Sequence, residues 1–141
     1  MLHSNVLRRV GKIARVVSYV SDIKFRRFSL QKGQHIFLVR VCEHPGITLT
    51  GLTQMLNVDK STTTKAIQKL ENQGYIIKRH PVDNRKSIEL YPTEIAKEVY
   101  LEIIAEENTR VDLCFKDFTD EEKVLVMDFL ERMCTNIEEY K

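Results

Sequence analysis

Between positions 60 and 69 the chain concentrates side chains suited to binding rather than catalysis: Lys60, Ser61, Thr62, Thr64, Lys65, Gln68 and Lys69. Hydroxyls and an amide can reach base edges or phosphates, and ammonium groups seek phosphates. A second set follows at Asp83, Arg85 and Lys86. A guanidinium suits a narrow minor groove, where negative potential is enhanced. Asp83 stands two residues earlier, where an ion pair would preorganise Arg85. Each set has a plainer reading, a solvated helix face and a turn-favouring Asp-Asn pair. Hydroxyls are poor choices for helix stability, so solvation alone explains Ser61-Thr62-Thr63-Thr64 badly. Together the two sets point to double-stranded DNA.

No catalytic constellation competes with that reading. There is no nucleophile–base pair, no phosphate-cradling glycine loop and no pair of carboxylates at a plausible cleft, so no enzyme is expected. His3, His35, His44 and His80 are scattered. Cys42-Glu43-His44 is not metal-site spacing, so neither metal nor cofactor is expected. The odd set Cys42, Cys114 and Cys134 forms no CxxC pair and reads as buried thiols.

The elements that must position these groups are mostly helical. Thr48 is a candidate cap for a short helix over 49–56, and Asn57-Val58-Asp59 makes a tight turn. A longer helix follows over 60–73, with Asp59 as its cap and Gly74 where a left-handed terminus wants glycine. Its Thr63, Ala66, Ile67 and Leu70 share an inward face. This is a helix-turn-helix. Tyr75 to His80 and Ser87 to Tyr91 then read as a two-stranded hairpin with a polar tip.

Long helices flank this middle. The first runs over 5–25, with Val6, Val10, Ile13, Val17 and Val20 along one seam. Ser29 is a candidate cap for a second helix that ends at His44-Pro45-Gly46, with Leu30, Phe37, Leu38, Val41 and Cys42 as its buried stripe. A helix over 93–114 carries Ile95, Val99 and Ile103. Thr119 to Glu122 fits a capping box. The last helix lines up Val126, Leu130, Met133, Ile137 and Tyr140. A second copy of the chain would cover the two terminal seams, which predicts a homodimer through Val6, Val10, Ile13, Val17, Val126, Leu130, Met133 and Ile137. An intramolecular bundle is the alternative.

The chain has 141 residues and a net charge of +2. That length suits one domain with a real core. The balance is uneven: residues 1–40 carry +8, residues 41–95 carry +1 and residues 96–141 carry −7. A modest total is therefore compatible with a local anion-binding face. The longest apolar runs, Ile36–Val39 and Val124–Met127, are far short of a membrane span of about 20 residues. A cytoplasmic protein without membrane contact is expected.

Residues 47–96 resemble the winged helix-turn-helix of MarR-type transcriptional regulators. The matching stretches run from Leu49 to Val58, from Asp59 to Lys65 and from Leu70 to Ile76, and the D-x-R wing signature stands as Asp83-Asn84-Arg85. The flanking helices match the family's arrangement over nearly the whole chain, by position and pattern. Two departures stand out. Pro92 to Ala96 lacks the usual Leu-Thr followed by glycine, and Thr53 replaces a common small alanine; both are expected to change packing near the wing base and to leave the proposed contact residues untouched.

The resemblance implies a mainly α fold with a small two-stranded β wing. One domain would span 1–141, with a DNA-binding lobe over 30–92 and helical dimerisation regions over 1–28 and 93–141. It implies recognition helices in major grooves, wings in minor grooves and a roughly palindromic operator. It also implies a repressor released by a small, often anionic effector held between dimer arm and DNA lobe. Arg8, Lys12 and Arg15 share a face of the first helix and are candidates to attract such an anion, although solvated surface is the plainer reading. The first helix lacks cysteine, which speaks against thiol sensing there. A different class of function, a winged-helix module that binds another protein through the acidic C-terminal third, would show no DNA preference.

Overall fold

The computed structural model describes residues 1–141. Six α-helices and one two-stranded sheet follow in the order α1 (Val6–Lys24), α2 (Gln34–Glu43), α3 (Leu49–Leu56), α4 (Lys60–Asn72), β1 (Ile76–Arg79), β2 (Glu89–Pro92), α5 (Glu94–Cys114) and α6 (Asp120–Tyr140). A single 3-10 turn, Phe25–Phe28, follows α1. The fold is mainly α with a β wing, as the sequence predicts. The chain divides into two compact units, residues 1–106 and 107–141.

The core of the first unit is built where apolar faces of short helices converge on the hairpin. Leu38, Val41, Leu52, Ile67, Leu70, Leu90, Ala96 and Ile103 are all fully buried. Each such large aliphatic side chain contributes about 1.5–3 kcal/mol by leaving water. Leu70 is followed, past α4, by Gly74 at φ +83°. That left-handed turn brings Tyr75 and Ile76 back over the core. Thr93 closes the other end, its hydroxyl donating to the Gly74 carbonyl at 2.8 Å and its backbone N–H to the Tyr75 carbonyl at 3.0 Å.

The strands are antiparallel, with Ile76 opposite Pro92 and Arg79 opposite Glu89. They are shorter than the sequence predicts, because the residues around the tip, Pro81 to Ser87, form a turn-rich loop. The segment before α3 pairs with the second strand instead. Gly46 N–H donates to Leu90 O, Leu90 N–H to Ile47 O, and Leu49 N–H to Ile88 O, at 2.8–3.0 Å. An isolated antiparallel bridge joins Thr48 to Glu89. The wing base is thereby fixed to the start of the helix-turn-helix.

Three expectations need correction. Ser29 does not cap the second helix. It lies at φ 60° at the end of the 3-10 turn, and α2 starts after Gly33, at φ 76°, whose N–H is held by Asp22 Oδ1 at 3.1 Å. A serine followed by Leu30 looks like a cap in sequence, but the left-handed turn directly before α2 is made at Gly33. Second, Cys114 and Cys134 are exposed and only Cys42 is half-buried. Third, Thr53 lies at the contact of α3 with α4, not at the wing base. Its hydroxyl donates to Leu49 O and pairs with the buried Thr63 hydroxyl, both at 2.8 Å. An extra hydroxyl there is tolerated because a buried polar group needs a partner and has one.

The second unit is different in kind. Its helix α6 opens with the predicted capping box, Thr119 Oγ1 accepting from Glu122 N–H at 3.1 Å and Glu122 Oε1 from Thr119 N–H at 2.8 Å. No residue from 107 to 141 is buried. Of the predicted seam, Val126 and Met133 are half-buried while Leu130 and Ile137 are exposed. In α1, Val6, Val10 and Ile13 are exposed, Val17 is half-buried, and Ser21 alone is buried. No helix is long and apolar enough to cross a membrane.

Candidate nucleic-acid interface

Helix α4 owes its start to Asp59, whose Oδ1 accepts from Thr62 N–H at 2.7 Å and from the Ser61 hydroxyl at 2.9 Å. The Thr62 amide above all, helped by the side-chain bonds, holds this carboxyl below the usual aspartate range. Asn57, at φ 57°, turns the chain between α3 and α4. One face of α4 is buried through Thr63, Ile67 and Leu70, with Ala66 half-buried beside them. Lys60, Ser61, Thr62, Thr64, Lys65, Gln68 and Lys69 all lie exposed, away from the buried face.

Their side chains are not equally available. Thr64 donates its hydroxyl back to Lys60 O at 2.8 Å, which leaves only its acceptor lone pairs outward. Gln68 bridges to Asn72 and to Lys78 Nζ, each at 3.4 Å, and Lys78 also pairs with Glu71 at 3.4 Å. Lys69 reaches Gln31 at 3.4 Å, near the base of the lobe. The N-terminal half of α4, Lys60 to Lys65, therefore presents the less committed groups. Neither Lys60 nor Lys65 is in an ion pair.

Asp83, Arg85 and Lys86 sit exposed on the wing loop. The expected ion pair between Asp83 and Arg85 does not form. The loop is organised through its backbone instead. His80 Nδ1 lies 3.1 Å from both Arg85 O and Ser87 O, so its N–H donates across the loop. Asn84 accepts from Lys86 N–H at its side chain and from Ser87 N–H at its carbonyl. At the base, the Arg79 guanidinium lies 5.0 Å from the centre of the Tyr91 ring. His80 was invisible to sequence reasoning as a wing residue; its only signal was its place at the end of a predicted strand.

The lobe is tied to the end of α1 by bonds that no motif announces. Tyr75 OH donates to Phe28 O at 2.6 Å, and Gln73 Nε2 donates to Ser29 O. Burial raises the Tyr75 phenol above its usual range. Both acceptors belong to the turn between α1 and α2. Along the same turn runs an open cleft of about 470 Å³, lined by Arg15, Tyr19, Asp22, Arg26 and Lys32 among others. Of the basic row read from the sequence, Arg15 lines this cleft and Arg8 and Lys12 do not.

No group of His, Cys, Asp and Glu is placed to hold a metal ion. Cys42 points at Ala96 O at 3.8 Å, and burial above all pushes its thiol up to about 11, so it is a poor nucleophile near neutral pH.

With this geometry in place, the chain can be set beside known proteins. The family model described as MarR family matches residues 30–88. The HTH-type transcriptional regulator YybA of Bacillus subtilis (strain 168) is 39% identical over 135 residues, covering 96% of this chain and 90% of that protein. Among solved structures, a MarR protein from Peptoclostridium difficile is 50% identical with a TM-score of 0.94, covering 99% of this chain and 91% of that one. A MarR family transcriptional regulator from Listeria monocytogenes, solved complexed with 26mer DNA, is 38% identical with a TM-score of 0.94, covering 96% of this chain and 91% of that one.

Proposed function

The chain belongs to the MarR family of transcriptional regulators, and on that premise we propose that it is a homodimeric repressor that binds a roughly palindromic operator and leaves it when a small anionic effector binds. The observation that carries DNA binding is the outward face of α4, hydroxyl-rich and cationic, on the same lobe as a basic wing. The lobe over 30–92 would present α4 to a major groove and Arg85 to the neighbouring minor groove. Lys60 and Lys65, at the N-terminal half of the recognition helix, enter no ion pair inside the protein. That the Listeria relative was solved with DNA supports the reading.

Dimerisation would run through the terminal regions, 1–28 and 93–141. Val6, Val10 and Ile13 of α1 and Leu130 and Ile137 of α6 are exposed apolar residues in regular file, and α6 buries no residue of its own. A file of exposed apolar residues along a helix suits an interface. The two-fold axis of such a dimer would repeat in the operator.

The effector reading rests on the cleft beside α1. Its Arg15, Arg26 and Lys32 favour an acid, and Tyr19 adds an aromatic wall. An occupant there would bear on the turn whose carbonyls hold Tyr75 and Gln73, directly after α4. It would shift DNA affinity only by binding the two lobe positions unequally.

In vitro selection of duplexes from a random pool at physiological salt tests the proposal. Enrichment of a two-fold symmetric motif is the expected result. If the folded dimer enriches no duplex, the DNA reading gives way to a protein-interaction module.

A further inference from the structure

We propose that Lys60, Lys86 and the Thr50 hydroxyl close on one backbone phosphate of the bound duplex, in a hollow where α3, α4 and the wing meet. This rests on the DNA-binding reading above and adds Thr50, which sequence reasoning did not single out. The hollow has a volume of about 320 Å³ and is lined by Thr48, Thr50, Lys60, Asn84, Lys86 and Ser87, with Leu49 and Ile88 behind them. Three separate elements thus contribute to it, and none contributes a carboxylate. Asp59, beside Lys60, has its carboxylate committed to Ser61 and Thr62 in the α4 cap.

Neither Lys60 nor Lys86 has an ion-pair partner anywhere in the chain. Lys60 and Lys86 both line the hollow, and ammonium groups turned into it together would repel each other unless an anion sat between them. Thr50 lies exposed in the first turn of α3, where the helix dipole also favours negative charge. Its hydroxyl is a donor without a partner inside the protein, whereas Thr48 has its oxygen engaged by Gly51 N–H at 3.0 Å.

The walls are fixed before any ligand arrives. Leu49 N–H to Ile88 O joins the α3 start to the wing at 3.0 Å. The bonds of Asn84 to Lys86 and Ser87 N–H, and of His80 to the Arg85 and Ser87 carbonyls, hold the loop that carries Lys86. A rigid, cationic hollow open to solvent matches a phosphodiester, a single negative charge with two free oxygens on a stiff backbone. Such a contact sets the register of the lobe on the duplex and carries no sequence information.

The test compares Lys60→Ala, Lys86→Ala, the double variant and Thr50→Val on the selected operator over a range of chloride concentrations. Each neutralised phosphate contributes about 0.9 to the slope of log affinity against log salt. With a shared phosphate, the double variant loses about 0.9 per protomer in all. With separate phosphates it loses about 1.8 per protomer, which would overturn the proposal. All four variants should weaken operator and random duplexes by the same factor, with unchanged melting. A methylphosphonate scan of the operator adds a second readout. Each lysine variant should become less sensitive to replacement of the same phosphate, the double variant insensitive to it, and Thr50→Val slightly less sensitive; two different phosphates would again overturn the clamp. Inorganic phosphate that displaces the duplex at constant ionic strength would assign the hollow to free phosphate and overturn the duplex assignment. If wild type binds no duplex, the failure is of the DNA reading itself, not of the clamp geometry.

Discussion

Helices α4 and α6 both file apolar residues along one face, and the two files meet opposite fates. In α4, Thr63, Ile67 and Leu70 are buried against α2, α3 and the hairpin. In α6, Val126 and Met133 are half-buried and Leu130 and Ile137 are open to solvent. The polar faces differ as well. That of α4 is Thr, Lys and Gln, while the first turn of α6 is Asp120, Glu121 and Glu122, which suits a helix N-terminus. One helix has its apolar face covered by its own chain and keeps a polar, cationic face in solvent. The other is well capped and leaves much of its apolar file uncovered. Amphipathic spacing shows that a face will be covered; it does not say by what.

The sharpest way to break this comparison is to cut into each file. Leu52→Ala or Ile67→Ala, at fully buried positions, should cost the lobe about 2–5 kcal/mol in denaturant unfolding. A cost under about 1 kcal/mol would mean that the α3–α4 contact is not the core it resembles. Ile137→Glu should leave lobe packing intact and weaken dimerisation by at least about 2 kcal/mol, roughly 30-fold in dissociation constant. Sedimentation equilibrium decides it; an unchanged dimer would remove the α6 file from the interface.

Two smaller effects sharpen the outer face of the lobe. Arg85→Ala should weaken operator binding by about 1–3 kcal/mol without changing the melting temperature. Equal affinity would take the wing out of the DNA contact. The smallest effect concerns the α4 cap. Asp59 has a lowered pKa in the folded chain, chiefly through the Thr62 amide. A lowered folded pKa means the cap's stabilisation is fully present above the unfolded value of about 3.9 and is lost as pH falls through the folded value. The Thr62 amide resonance should therefore titrate with a midpoint below about 3.9. A midpoint at or above that value would show that the cap bond does not hold in solution. Asp59→Asn should keep the cap and abolish the titration.

Much of the fold was legible because its signals are local. Thr48, Asp59 and Thr119 cap their helices as their sequence context indicates, and Gly74 takes the left-handed turn expected of it. The inward and outward faces of α4 follow from spacing alone. The errors arose where a local signal had competitors. Ser29 had the composition of a cap, but Gly33 had the backbone freedom to be the turn. Asp83 and Arg85 were close enough in sequence to pair, but the loop is organised by His80 and Asn84 through backbone carbonyls and amides. Cys114 and Cys134 looked like ordinary buried thiols, but the helices that carry them bury nothing there.

The sequence by itself determined the helices, their caps and which side chains of α4 face outward, because each depends on residues within a few positions of one another. Only the tertiary structure decided the rest. It paired Thr53 with Thr63, hung Tyr75 and Gln73 on the carbonyls of Phe28 and Ser29, and brought Thr50, Lys60 and Lys86 to one hollow. Those partners lie from 10 to 47 positions apart. A hydrogen bond or a shared charge site depends on distances of a few ångströms, and periodicity along a chain carries no information about them.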